Sequence, residues 1–170
     1  MRGTDEKGFT LVEVTVVLAI LGLLLGPVLT LLTQGYSFRA QAGGQSQVQN
    51  EANRILSGIC EGDPRAGWPG LLAAQGVAIS PTGLAFLNGG RVITYYYSDA
   101  ALYRKTAPYA GSLSVDSTGG EEILSDVKGF AVSRSGSLYS LRLEMAHVNP
   151  DGTTNRITLQ TAVRPRNLNP

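Results

Sequence analysis

One carboxylate in this chain stands where a carboxylate is costly. Glu13 opens onto Val14–Leu32, roughly 19 residues without a charge, and an acid at mid-membrane costs about 2.5–3.5 kcal/mol on insertion scales. It lies only ~6 Å of helix from Phe9, so it sits near the lipid boundary and costs less there. Ionisable groups inside apolar spans are functional candidates, and the chemistry open to this one is pairing with a cation in the same apolar surroundings. A simpler account is that an acid in the first turn of a helix suits the macrodipole.

Other reactive side chains are few. One His and one Cys exclude zinc ligation of the usual type within a single chain. Cys60 has no internal partner for a disulfide and reads as a small apolar residue beside Ile59, although a lone thiol can also be reactive. His147 stands near a turn and reads as structural or exposed. No Gly-x-Ser-x-Gly elbow supports a Ser/His/Asp set, and Gly43-Gly44 lacks the Lys-Ser/Thr ending of a phosphate loop. Glu121-Glu122 beside Gly119-Gly120 reads as a solvated loop rather than a paired-carboxylate site. Tyr95, Tyr96, Tyr97 and Tyr103 offer stacking faces for a sugar or a base, but alternation turns half of them into the core. We expect no enzyme, no cofactor and no metal site.

Size and charge narrow the class further. The 170 residues allow one modest domain plus an extension, and about 135 remain after an apolar helix, enough for a single core. A net charge of +1, with no Lys/Arg run, argues against a dedicated nucleic-acid binder.

The elements that must position Glu13 follow from periodicity. The apolar run is long enough, at 1.5 Å per residue, to cross a hydrocarbon core ~30 Å thick. Pro27 removes one helix hydrogen bond and predicts a kink near Leu23–Pro27. Val48, Ala52, Ile55 and Ile59 share one helical face, so the helix is predicted to run from about Phe9 to Ile59, with Gly43-Gly44 able to bend it. Gly62-Asp63-Pro64 and Gly67-Trp68-Pro69-Gly70 predict a loop, and Leu71–Gln75 a short helical turn. Strands are then predicted at Val77–Ile79, Gly83–Leu87, Arg91–Tyr97, Ala101–Lys105, Gly129–Ser133, Ser137–Ala146 and Asn155–Val163. Asn88-Gly89-Gly90 and Asn149-Pro150-Asp151-Gly152 have hairpin chemistry, and Ser98-Asp99-Ala100 joins two strands. An antiparallel meander of this kind must bury one face, and the amphipathic half of the helix is the obvious cover.

The start of the chain, Lys7-Gly8-Phe9-Thr10-Leu11-Val12-Glu13 followed by the apolar run, resembles the processing site of type IV prepilins and of the pseudopilins of type II secretion. An ordinary secretory signal has a shorter apolar stretch and a small-residue cleavage site after it; here Leu31-Leu32-Thr33-Gln34-Gly35-Tyr36 follows instead. The resemblance implies cleavage between Gly8 and Phe9 by a membrane-embedded prepilin peptidase and N-methylation of the new Phe9 amine. It implies partners: other pilin or pseudopilin subunits, an inner-membrane assembly platform, and lipid before assembly. Direct nucleic-acid binding is not among them.

The implied fold is α+β and pilin-like, a long N-terminal helix packed on an antiparallel β-sheet. Its parts are a leader at 1–8, a membrane and fibre-core helix at 9–35, its amphipathic continuation at 36–60, and a β domain at 61–170. The chain would be a single-pass protein of a bacterial inner membrane with its C-terminal domain extracytoplasmic, passing into a periplasmic or surface filament. Arg2 and Lys7 before the span, against Arg39 and Arg54 after it, give only a small topological bias. In a staggered fibre the Phe9 ammonium of one subunit would approach Glu13 of a neighbour, and wrong stagger would strand both charges. Ile93-Thr94-Tyr95-Tyr96-Tyr97, Ala101-Leu102-Tyr103-Arg104 and Ala162-Val163-Arg164-Pro165-Arg166-Asn167 resemble the minor subunits of the J-type pseudopilin and W-type minor pilin kind. That implies a place at or near a fibre tip as an assembly initiator. The alternative is a monomeric, signal-anchored extracytoplasmic binding module.

Overall fold

Thr10 precedes a helix, α1, that spans Leu11–Glu61 in 51 residues. The structure is a computed structural model that describes residues 10–64, 67–149 and 152–168. The leader at 1–8, the Gly8–Phe9 bond and the central Pro150-Asp151 of one expected turn lie outside the described residues. The chain divides between Ala42 and Gly43 into two units, and α1 is assigned as helix through Gly43-Gly44.

Between Val14 and Thr33 the helix carries almost nothing but apolar side chains. Three threonines interrupt the pattern, and each spends its hydroxyl on its own helix. Thr15 donates to the carbonyls of Leu11 (2.7 Å) and Val12 (3.1 Å), Thr30 to Gly26 (3.0 Å), and Thr33 to Leu29 (3.1 Å) and Thr30 (2.9 Å). Such back-bonding leaves no hydroxyl unsatisfied where water is absent. Pro27 lies inside the helix and has no N–H to give.

The second unit begins with the rest of α1. Ala52, Leu56, Ile59 and Cys60 are buried in its core, with Val48 and Ile55 packed at the margin. The buried stripe thus keeps Ala52 and Ile59 of the expected face, adds Leu56 and Cys60, and leaves Ile55 only partly covered. The helix ends at Glu61, and the loop expected next forms a two-residue ladder, β1 (Gly62–Asp63) with β2 (Trp68–Pro69). A single 3-10 turn follows at Leu71–Ala73.

Eight further strands form two antiparallel sheets rather than one meander. The first sheet holds β3 (Gly76–Ser80), β4 (Gly83–Asn88), β5 (Arg91–Ser98), β6 (Ala101–Pro108) and β7 (Glu121–Leu124) in chain order. The second holds β8 (Val127–Ser135), β9 (Leu138–Val148) and β10 (Thr154–Val163), ordered β10-β9-β8. Strand β8 lies against β3, β4, β5 and β6, so it must run across them. The core between the sheets takes Leu84 and Phe86 from β4, Ile93 and Tyr95 from β5, Phe130 and Val132 from β8, and Tyr139, Leu141, Leu143 and Met145 from β9. Full burial of each large side chain is worth about 1.5–3 kcal/mol.

The outer face of the first sheet is covered too, and by something no periodicity announced. Residues 109–120 have no regular structure and pass over it. A Cβ on Gly83 would stand 2.7 Å from a methyl of Val115, so only glycine fits beneath the strap. Tyr96 donates its hydroxyl to the Gly119 carbonyl at 2.6 Å and stacks on Tyr103 with ring centroids 5.3 Å apart. The Lys105 ammonium bonds Asp116 and the Thr118 carbonyl (2.7 Å). Lys105 and the Thr118 hydroxyl hold the Asp116 carboxyl well below its ordinary value, at about 2. Tyr95 and Tyr96 are therefore both buried, on opposite faces of one strand.

Two tight hairpins set the register of β4–β5–β6. Gly89 (φ 56) and Gly90 (φ 77) supply the left-handed pair that a two-residue turn requires. The next turn uses Asp99 (φ 48) and Ala100 (φ 60), and an alanine there is strained by its Cβ. Ala100 is exposed, so Ala100→Gly should relieve the strain at no packing cost. The expected gain is about 1 kcal/mol, seen as a higher urea midpoint with unchanged slope for the chain in micelles. An unchanged or lower midpoint would mean that the turn is not strained.

Candidate functional site

The N-terminus of α1 is closed by a reciprocal pair of side chains. The Thr10 backbone N–H donates to Glu13 Oε2 at 3.1 Å, and the Thr10 hydroxyl donates to the same oxygen at 3.2 Å. In return the Glu13 N–H donates to Thr10 Oγ1 at 3.3 Å. Thr10 is the N-cap and Glu13 the third helical residue, which makes a capping box. The spacing Thr-x-x-Glu before an apolar run is a legible signal for this, and sequence reasoning read only the charge. Among the described residues Glu13 Oε1 takes no hydrogen bond, so one carboxylate oxygen remains for a cation.

Beyond the box, Leu11–Tyr36 is 26 residues long, apolar enough to cross a membrane, and not buried within the molecule at any point. At 1.5 Å per residue it extends about 39 Å. Leu11, Leu18, Leu23, Leu24 and Leu31 are among the many side chains in it that are more than half exposed. Such a surface is stable only in lipid or against other apolar helices. Added methyls at Gly22 or Gly26 would touch nothing, so these glycines serve no packing within the chain.

The remaining candidates do not assemble into chemistry. Glu121 and Glu122 lie on strand β7, not in the loop expected for them. Glu121 pairs in register with Arg104 and bonds its guanidinium at 2.7 Å. The bend at Thr118-Gly119 leads into β7 at the edge of the sheet, where a cross-strand ion pair forms. That guanidinium also lies 4.5 Å from the Trp68 ring centre. Cys60 is buried, and desolvation pushes its thiol above the ordinary range, against a hydrogen bond with Thr161. A thiol so placed is a poor nucleophile. His147 is half-buried, and its Nε2 has no partner among the described residues; Asn149 Oδ1 is in the same condition. Asn149 otherwise orders its turn, donating from its N–H to the Thr153 carbonyl and from its amide to the Thr153 hydroxyl, both at 2.7 Å. Among the described residues no three of His, Cys, Asp and Glu gather as metal ligands.

Residues 4–29 match the family profile described as the prokaryotic N-terminal methylation motif. The matched stretch contains Gly8, Phe9, the Thr10–Glu13 box and the apolar span as far as Leu29. No curated protein and no solved structure matches the chain.

Proposed function

From a motif of the type IV pilin and pseudopilin kind, which implies a peptidase-processed subunit that assembles with others, we infer that this chain is a structural component of a type IV pilus or a type II secretion pseudopilus. Its α+β architecture, a long apolar helix with antiparallel sheets, is pilin-like, and the apolar helix fits a single-pass inner-membrane anchor. In this reading the precursor is cut after Gly8 and Phe9 is methylated. The helix then leaves the membrane for the core of a fibre, and the second unit is extracytoplasmic. The chain serves as a minor subunit, at or near the tip, where it initiates assembly on the inner-membrane platform.

The observation that carries this reading is the exposed helix Leu11–Tyr36 headed by Glu13 inside the matched motif. Lipid alone would cover the apolar surface; the capping box uses one carboxylate oxygen of Glu13, and a neighbour's Phe9 ammonium would use the other. Pro27 in the same helix gives a place for the rod to loosen as it moves from lipid to protein surroundings.

Mass spectrometry of the protein recovered from fibres tests this directly. The expected N-terminus is Phe9 carrying one methyl group. Recovery of fibre-bound protein with Met1–Gly8 still attached would overturn the reading. Protein that is never found in fibres, and remains monomeric in the membrane, would favour an anchored binding module instead.

A further inference from the structure

The structure points to a second binding surface, an arginine-lined groove at the open edge of β3. We propose that it accepts an acidic, extended polypeptide segment of a neighbouring protein, which adds to the sheet as a further strand. The groove lies wholly in the second unit, so strand capture does not depend on cleavage at Gly8.

Strand β3 ends the first sheet and pairs only with β4. The two-residue link Pro81-Thr82 makes Ser80 and Gly83 the closing hydrogen-bonded pair, and the register then alternates along the hairpin. Gly76, Ala78 and Ser80 therefore turn their backbone groups toward β4, while Val77 and Ile79 turn theirs outward. An outward row of N–H and C=O groups is a template for one more strand.

Beside that edge is a cavity of about 940 Å³, open to solvent, large enough for several residues. Val77 lines it, together with Arg134 from the end of β8 and Arg164 and Arg166 from the segment after β10. None of its described lining residues is acidic, and among the described residues none of the three arginines has an ion pair. Arg134 is held in place: its Nε donates to the Gly136 carbonyl at 2.8 Å, and its guanidinium lies 5.5 Å from the Tyr139 ring centre. The C-terminal segment is held too, because the Arg166 N–H donates to the Leu72 carbonyl at 2.9 Å.

Three cations lining one groove without a counter-ion among the described residues, in a chain whose net charge is only +1, favour an anionic partner. Guanidinium forks bind carboxylates in a bidentate manner, and the strand edge supplies main-chain bonds that a simple anion does not use. A nucleic acid fits less well. Bases need exposed aromatic faces to stack on, and the groove's one ring, Tyr139, is 1 % exposed and lies beneath Arg134.

The test uses the full chain in detergent micelles and a fluorescein-labelled peptide, Glu-Val-Glu-Val-Glu-Val, followed by anisotropy. Binding is expected, weakened at least about ten-fold in Arg164→Glu/Arg166→Glu, as loss of charge-assisted contacts implies. The same peptide N-methylated at alternate amides is expected to bind at least about ten-fold more weakly, because it cannot extend a ladder. In the unaltered chain, the Val77 and Ile79 amides should gain protection from hydrogen exchange when peptide is added. That measurement does not depend on the variant's folding. No binding, equal binding of the N-methylated peptide or of polyphosphate, tighter binding of a single-stranded oligonucleotide, or unchanged exchange at Val77 and Ile79 would each overturn the proposal.

Discussion

Gly8→Val is expected to leave the chain about eight residues too long and wholly outside the fibre, the largest effect in the molecule for one side chain. If the bond after residue 8 is cut as proposed, a side chain at that position blocks the close backbone approach to a peptidase that glycine permits. An uncut chain keeps a peptide bond where the Phe9 amine should be. Glu13 then has no cation to meet in the fibre, and a polar leader carrying Arg2, Asp5, Glu6 and Lys7 stays on the end of the rod. Both changes oppose packing in an apolar core. Immunoblots of membranes and sheared fibres are the measurement. A band of precursor size in membranes and none in fibres is expected. A fibre fraction equal to that of the unaltered chain would mean that assembly ignores the motif.

Glu13→Gln separates the capping that the structure shows from the register role proposed for Glu13. A glutamine carbonyl oxygen accepts from the Thr10 N–H as the carboxylate does, so the capping box survives. The charge does not. Breaking one side of an apolar ion pair costs about 3–5 kcal/mol, because the partner charge is left buried and alone. If Glu13 sets the register between subunits, Glu13→Gln should be processed normally and enter fibres at least about ten-fold less often. Glu13→Val should behave at least as badly, since it also removes the box. Normal incorporation of Glu13→Gln beside failure of Glu13→Val would reduce Glu13 to a helix cap. Quantifying each variant in fibres, relative to its processed amount in the membrane, distinguishes these outcomes.

How legible the molecule is depends on the distance over which each feature is decided. The apolar helix, its continuation past Val48 and the seven longer strands are visible in periodicity, and their observed limits differ from expectation by only a few residues. The hairpin at Asn88-Gly89-Gly90 is legible for the same reason, since its chemistry is contained in the residues that turn. Strand β7 was missed because Gly119-Gly120 reads as a breaker. Its strand state comes from the partner β6 and from the bond between Glu121 and Arg104, 17 positions away. The Thr10–Glu13 box is legible as Thr-x-x-Glu before an apolar run, a local signal separate from the charge of Glu13.

Alone, the amino-acid order determined what is local or one-dimensional: a motif of adjacent residues, a greasy rod with an acid at its head, and alternation that calls for sheets. Folding decided the rest. It split the strands into two crossed sheets, laid residues 109–120 over a face that alternation alone would leave to solvent, and widened the buried helix stripe to take in Leu56 and Cys60. It also gathered Arg134, Arg164 and Arg166 beside the free edge of β3. Those outcomes depend on which surfaces meet, and burial is shared between residues far apart in the chain, so no window of sequence contains both halves of the interaction.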